Sequence, residues 1–289
     1  MTGAHDENAG LSRRRGCPRT VVATAGAVAS WPTANVPTNA DGTPNLNAPA
    51  PRTPDGRVDF SGVWESRAFC FGGQGKFIDD AGQPGAGPRA LQEGEIPLAT
   101  CADIGGGVRG GAPLQPWAKE LRDQRAAEHL TGNPQSHCLP MGHMQLWLNP
   151  QPRQIVQTPR ELLMVWEANF GLRHVFTDGR PSPGNDPQPW WYGYTVGRWE
   201  GDTLVATTTH LKDGMWLDLR GTPLTGEATI TERFRRPAFG RIEIDVTIDD
   251  AKAFTRPFTV RVNQYLMLDT DLMEFICNEN EQSSRHFVS

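Results

Sequence analysis

Leu172–Arg236 reads LRHVFTDGRPSPGNDPQPWWYGYTVGRWEGDTLVATTTHLKDGMWLDLRGTPLTGEATITERFRR, and its pattern decides the fold. Four short runs of alternating apolar residues are separated by clusters of Gly, Pro, Asn and Asp. Alternation with a period of two marks a strand, because successive side chains leave opposite faces of a pleated backbone. On Leu172–Thr177 the residues Leu172, His174 and Phe176 share the more apolar face. On Thr203–His210 the matching set is Leu204, Ala206, Thr208 and His210. On Ala228–Arg236 it is Ala228, Ile230, Glu232 and Phe234, with Thr229, Thr231, Arg233 and Arg235 opposite.

His174, His210 and Glu232 are therefore expected on the core side of their strands. A buried ionisable group must find a hydrogen-bond partner or shift its pKa. The ordinary reading is structural: a satisfied core or rim histidine, and a glutamate paired with Arg173, Arg198 or Arg233. The sharper reading is an acid/base set that converges in one cavity.

Working outward, Arg153–Thr158 and Glu161–Glu167 read as a hairpin turned by Pro159-Arg160. In Arg241–Asp249, Ile242, Ile244, Val246 and Ile248 alternate with Glu243, Asp245 and Thr247. Phe60–Trp64, Phe258–Gln264 and Leu272–Cys277 complete the strands. Together they predict a mostly β fold, an antiparallel meander closed into a lipocalin-like barrel. One short helix is expected over Gln115–Leu130, with Pro116 in its first turn and Trp117, Leu121 and His129 or Leu130 along one side. Long Gly/Pro-rich loops fill the rest, chiefly Cys70–Gly111. The 31 glycines and 24 prolines favour turns over long helices.

Net charge is −5 and mean hydropathy −0.49. No basic stripe supports nucleic-acid binding. No apolar run approaches the roughly 18 residues of a membrane helix. Residues 1–50 stand apart as an arm or export signal plus linker, and 51–289 form a single barrel domain. Arg13-Arg14-Arg15 precedes a short Ala/Gly/Val run, the outline of a twin-arginine-like export signal; a disordered arm is the competing reading. Outside that segment lie Cys70, Cys101, Cys138 and Cys277, an even number. In an exported protein they allow two disulfides with three connectivities, of which Cys70–Cys101 with Cys138–Cys277 is favoured. His137, Cys138 and His143 match no zinc spacing, so a structural role is preferred to a metal site.

The segments TPDGRVDFSGVW, VFTDGRP, VGRWEGDTLVATTTHLKDGMWLD, TERFRRPAFGRIEIDVTIDDAKAFTRPFTV and DLMEFICNEN resemble a large family of exported bacterial β-rich proteins. The resemblance covers roughly residues 51–287. It implies a β-rich fold and a periplasmic or extracellular location, and it implies no reaction.

Small closed barrels can hold one small ligand. Trp190, Trp191, Tyr192 and Trp216 offer flat apolar area beside His210, Asp213 and Asp218, although packing is their ordinary role. Dinucleotide, phosphate-loop, zinc-protease and serine-elbow motifs are all missing, so no cofactor is expected. The leading expectation is a cofactor-free lyase, isomerase, hydratase or cyclase acting on an apolar or ring-bearing small molecule. His210 would be the base or acid and His174 its partner. Glu232 or Asp213 would orient a histidine or act itself, and Asp178 and Arg180 would hold a polar substrate end at the mouth. The alternative is a non-catalytic carrier of a hydrophobic small molecule, and a third reading is a barrel with a filled core. Oligomeric state leaves no mark on the sequence.

Overall fold

In the computed structural model, which describes residues 32–67, 94–100, 102–184, 188–276 and 279, the expected barrel closes. Its wall contains β1 (Gly62–Glu65), β2 (Arg153–Gln157), β3 (Glu161–Trp166), β4 (Gly171–Phe176), β5 (Tyr194–Glu200) and β6 (Thr203–Thr209). A small ribbon, β7 (Met215–Trp216) with β8 (Pro223–Leu224), precedes the last three wall strands. These are β9 (Thr229–Ala238), β10 (Arg241–Asp249) and β11 (Phe258–Met267). Around the wall the order is β1-β11-β10-β9-β6-β5-β4-β3-β2, with β1 bonded to both β2 and β11. The architecture is lipocalin-like.

Every neighbouring pair in the wall is antiparallel except one. β4 and β5 run parallel and share only two register pairs, Val175 with Thr195 and Phe176 with Val196. Because they run parallel, β4 and β5 cannot be the two arms of a hairpin. The simple meander is interrupted at this seam.

Register fixes what faces inward, since cross-strand partners share a face. Leu162, Met164 and Trp166 of β3 are buried, and they oppose Val175, Arg173 and Gly171 of β4. The inward set of β4 is therefore Gly171, Arg173 and Val175. Leu172 is 50% exposed and His174 lies outside with it, which corrects the face expected for His174. On β9 the expected set holds, with Ile230, Glu232 and Phe234 fully buried.

Two α-helices accompany the strands among the described residues. α1 (Pro116–Ala127) stops short of the expected Leu130 because His129 and Leu130 take left-handed backbone angles, φ 56° and 59°. Its expected apolar side is not a core face. Trp117 is 44% exposed and only Ala118 is buried. α2 (His143–Leu148) has no polar face, and all six of its residues are buried. It reaches three walls from inside. The Trp147 indole donates to Glu232 of β9, and its carbonyl accepts from Arg153 of β2 (3.0 Å) and Gln264 of β11 (3.1 Å). Trp147 also meets Trp166 and Phe234 edge-on, at 5.3 and 5.8 Å between ring centroids, and Phe234 meets Phe60 at 6.0 Å. Around α2 the barrel interior is packed with rings. Residues 272–276, expected as a strand, are irregular, and Cys277 lies outside the described residues.

Candidate functional site

The short parallel pairing leaves a gap in the wall. Toward the start of β4 the seam is open, and a cavity of about 340 Å³ lies between Leu172–His174 and Trp190–Thr195. Leu172 and Phe176 project from β4, and Trp190, Trp191 and Tyr192 come from the connection into β5. The apolar alternation of Leu172 and Phe176 is therefore real, but it faces this outer cavity and not the barrel core.

Behind the cavity, Arg173 and Thr195 are almost fully buried while still lining it. The Arg173 guanidinium meets both carboxylate oxygens of Glu232. It also donates to Thr208 Oγ1 (3.0 Å) and, through Nε, to Thr195 Oγ1 (3.3 Å). The two threonine hydroxyls are 2.8 Å apart. Met164 Sδ, at 3.9 Å, takes the remaining direction of Nη1. Glu232 Oε1 accepts from the Trp147 indole at 2.7 Å and lies 3.3 Å from His143 Nε2.

Burial pushes the Glu232 carboxyl up, but Arg173 and His143 together outweigh it and hold the group near 2. For His143, burial is the leading cause and the Arg173 charge adds to it, so its pKa falls below the usual histidine value despite Glu232. Arg173 and Glu232 form a matched interior ion pair beside a histidine that favours its neutral form. Of the three arginines that the sequence offers to Glu232, the fold selects Arg173.

A second guanidinium lies deeper. Arg153, fully buried, donates to the carbonyls of Trp147, Asn149 (2.6 Å) and Gln151 (2.5 Å) and to the Gln264 side chain. This fork ties the end of α2 to β2 and β11.

The other expected site residues are spread around this centre. His174 Nδ1 lies 2.8 Å from Glu161 Oε2 on the outer wall, and its ring stacks on Phe176 at 5.4 Å. His210 sits one residue past β6 with φ 56°, so it leaves the alternation that would have carried it inward. Its carbonyl accepts from the Trp190 amide (2.9 Å), and its ring stands edge-on to the Trp190 ring at 6.2 Å. Asp213 is exposed and accepts from the Gly226 amide at 2.6 Å. Asp178 pairs with Arg180 and Arg160; its hydrogen bonds to Arg180 hold its carboxyl well below the usual range. Arg180 also covers the Phe176 ring at 3.8 Å.

Asp218 is fully buried as the hub of a loop, accepting from the amides of Ile104, Arg220 and Thr222 and from the Thr222 hydroxyl (2.7 Å). Burial raises its pKa against those bonds. Trp216 packs beneath the Arg125 guanidinium at 4.7 Å. Neither Trp216 nor Asp218 belongs to the cavity lining. In the HisCys stretch, His137 is exposed with Nε2 3.1 Å from the Thr131 carbonyl, whereas His143 is buried against Glu232. Cys138 closes the 3-10 turn between them, and Cys70, Cys101 and Cys277 lie outside the described residues.

Sequence reasoning missed the roles of His143, Trp147 and Arg153. One signal for the interior cation was available: a glutamate in the inward set of β9 requires a buried partner, and Arg173 is the charged residue in the alternative inward set of β4. Comparison with protein-family models, curated proteins and solved structures finds no match to the chain.

Proposed function

We propose that this protein binds an apolar, ring-bearing small molecule at the β4–β5 seam and acts as a carrier. The supporting observation is the cavity of about 340 Å³, with Trp190, Trp191 and Tyr192 on one side and Leu172 and Phe176 on the other. That volume falls within the usual range of small-molecule sites, and flat rings complement flat rings. Binding is favoured over turnover by the state of the ionisable groups. His174 is held by Glu161 on the outer wall, and Glu232 is engaged by Arg173 and Trp147 inside it. His210 instead supports Trp190. The export-like sequence features and the family resemblance support a periplasmic or extracellular setting, where two disulfides would be stable.

The neutral fluorophore N-phenyl-1-naphthylamine tests the proposal. Saturable one-to-one binding at micromolar concentration is expected, with at least a tenfold loss in Leu172→Glu. Leu172 is half exposed, so that variant should fold normally. Absence of saturable binding, or equal binding by Leu172→Glu, would remove the seam cavity as the site. Native mass spectrometry of gently purified protein, followed by denaturing extraction, would identify a retained natural ligand.

A further inference from the structure

The charged groups around the seam cavity divide into those already matched and one that is not. Arg173, behind the lining, is matched by Glu232. Arg180 and Arg160 share Asp178, at 2.6 and 3.3 Å. Glu161 is held by His174 at 2.8 Å. Lys212 is different. Of the three lysines in the described residues, Lys119 pairs with Asp123 and Lys252 with Glu227, whereas Lys212 has no carboxylate partner among the described residues. Asp213, next to it in sequence, instead accepts from the Gly226 amide at 2.6 Å.

The fold sets this unmatched cation beside the cavity. Trp190 bridges to Leu211, and the Lys212 amide donates to the Trp190 carbonyl at 2.9 Å. The Lys212 side chain lies over Trp191, its ammonium 4.5 Å from the ring centroid, and Trp191 lines the cavity. The ring contact orders the lysine without neutralising it. The lining itself contains no aspartate or glutamate. Two of its rings already carry protein cations, Lys212 on Trp191 and Arg180 on Phe176 at 3.8 Å. A cationic ligand would therefore meet no free counter-charge in the lining and a like charge at Trp191. An anionic group meets an exposed ammonium whose donors no protein carboxylate has taken.

Resting on the binding reading above, we propose that the ligand is an organic acid, with an apolar, ring-bearing body in the seam cavity and a carboxylate that pairs with the Lys212 ammonium beside Trp191. Lys212 is then the specificity-determining residue that selects an acid over a neutral molecule of the same shape.

Three probes of matched shape test this by equilibrium dialysis: 2-naphthoate, 2-acetylnaphthalene and 2-(aminomethyl)naphthalene, which are anionic, neutral and cationic at pH 7. At low salt the wild-type protein should bind the acid about fivefold more tightly than the ketone, the upper end of what an exposed ion pair supplies, and the amine most weakly. The ratio of acid to ketone affinity is the readout, so a general change in the cavity cancels. That ratio should fall to about one in Lys212→Gln, invert in Lys212→Glu and persist in Lys212→Arg. It should also shrink at about 1 M salt, where the screening length is about 3 Å. An acid preference unchanged in Lys212→Gln would overturn the assignment of Lys212. A wild-type ratio of one or less, with the neutral fluorophore still binding saturably, refutes the acid claim alone. Failure of the fluorophore and all three probes to bind refutes the cavity reading with it.

Discussion

Arg173 of β4 and Glu232 of β9 meet inside the barrel, each side chain no more than 1% exposed, and the guanidinium spans both carboxylate oxygens. A pair this deep is costly to desolvate, so its worth lies in its completeness. Glu232→Ala should leave an uncompensated buried cation and cost about 3–5 kcal/mol in urea unfolding. Replacing both partners, as Arg173→Met with Glu232→Leu, should recover most of that loss. A double variant as unstable as the single one would show that the threonine and tryptophan hydrogen bonds outweigh charge pairing.

The same cluster sets an acid limit on stability. Glu232 titrates near 2 in the folded chain against an ordinary value of 4.5. The unfolded chain therefore binds the proton first, and stability present above pH 4.5 is lost as pH falls toward 2. The loss is on the order of 3 kcal/mol. His143 acts earlier. Its folded pKa is below the ordinary 6.5, so the unfolded state takes up its proton first as pH drops below 6.5. Unfolding free energy should thus be flat from these two groups above pH 6.5 and fall in two stages below it. His143→Leu should flatten the upper stage and keep the lower one. A slope between pH 6.5 and 5 that survives in this variant would assign it to other groups.

How much of this could be read from the chain depended on the local competition at each element. β10 matches the expected Arg241–Asp249 because four isoleucine and valine side chains alternate without rival. The hairpin of β2 and β3 was equally legible, and Glu232 was placed inside by its neighbours Ile230 and Phe234. β4 misled because both of its faces are half apolar. Leu172, His174 and Phe176 look like the core set, yet they cover an outer cavity, while the interior takes Arg173 beside Gly171. α2 was invisible for a different reason: a six-residue helix buried on all sides has no polar face to reveal its period. The parallel seam that creates the cavity depends on how residues 177–193 travel, which strand patterning does not encode.

Entry into α2 hinges on Gly142. A Cβ there would lie 1.9 Å from the carbonyl oxygen of Trp216, a backbone atom that a side-chain rotation cannot remove. The backbone of Gly142 is otherwise ordinary, with φ −59°, so contact alone requires glycine. Gly142→Ala must displace either the ribbon of β7 and β8 or the start of α2, which carries His143 and Trp147 to Glu232. We expect a loss of about 3 kcal/mol or more, seen as a lowered thermal midpoint. Reduced fluorophore binding at the seam should accompany it. Normal stability would mean that Trp216 and Gly142 separate more readily than their packing implies.

His210 separates backbone strain from side-chain contact. Its φ of 56° suits glycine better than a residue with a Cβ, while its ring stands against Trp190 at the cavity rim. His210→Gly should relieve about 1 kcal/mol of backbone strain and offset the lost ring contact, leaving stability near the wild-type value. His210→Val, branched at Cβ, should lose about 1–2 kcal/mol because that conformation disfavours branching. Both variants remove the ring, so both should weaken fluorophore binding a few-fold through a looser Trp190. Urea unfolding and titration of the same preparations distinguish the effects. If valine is tolerated as well as glycine, the ring contact governs this position and the backbone angle does not.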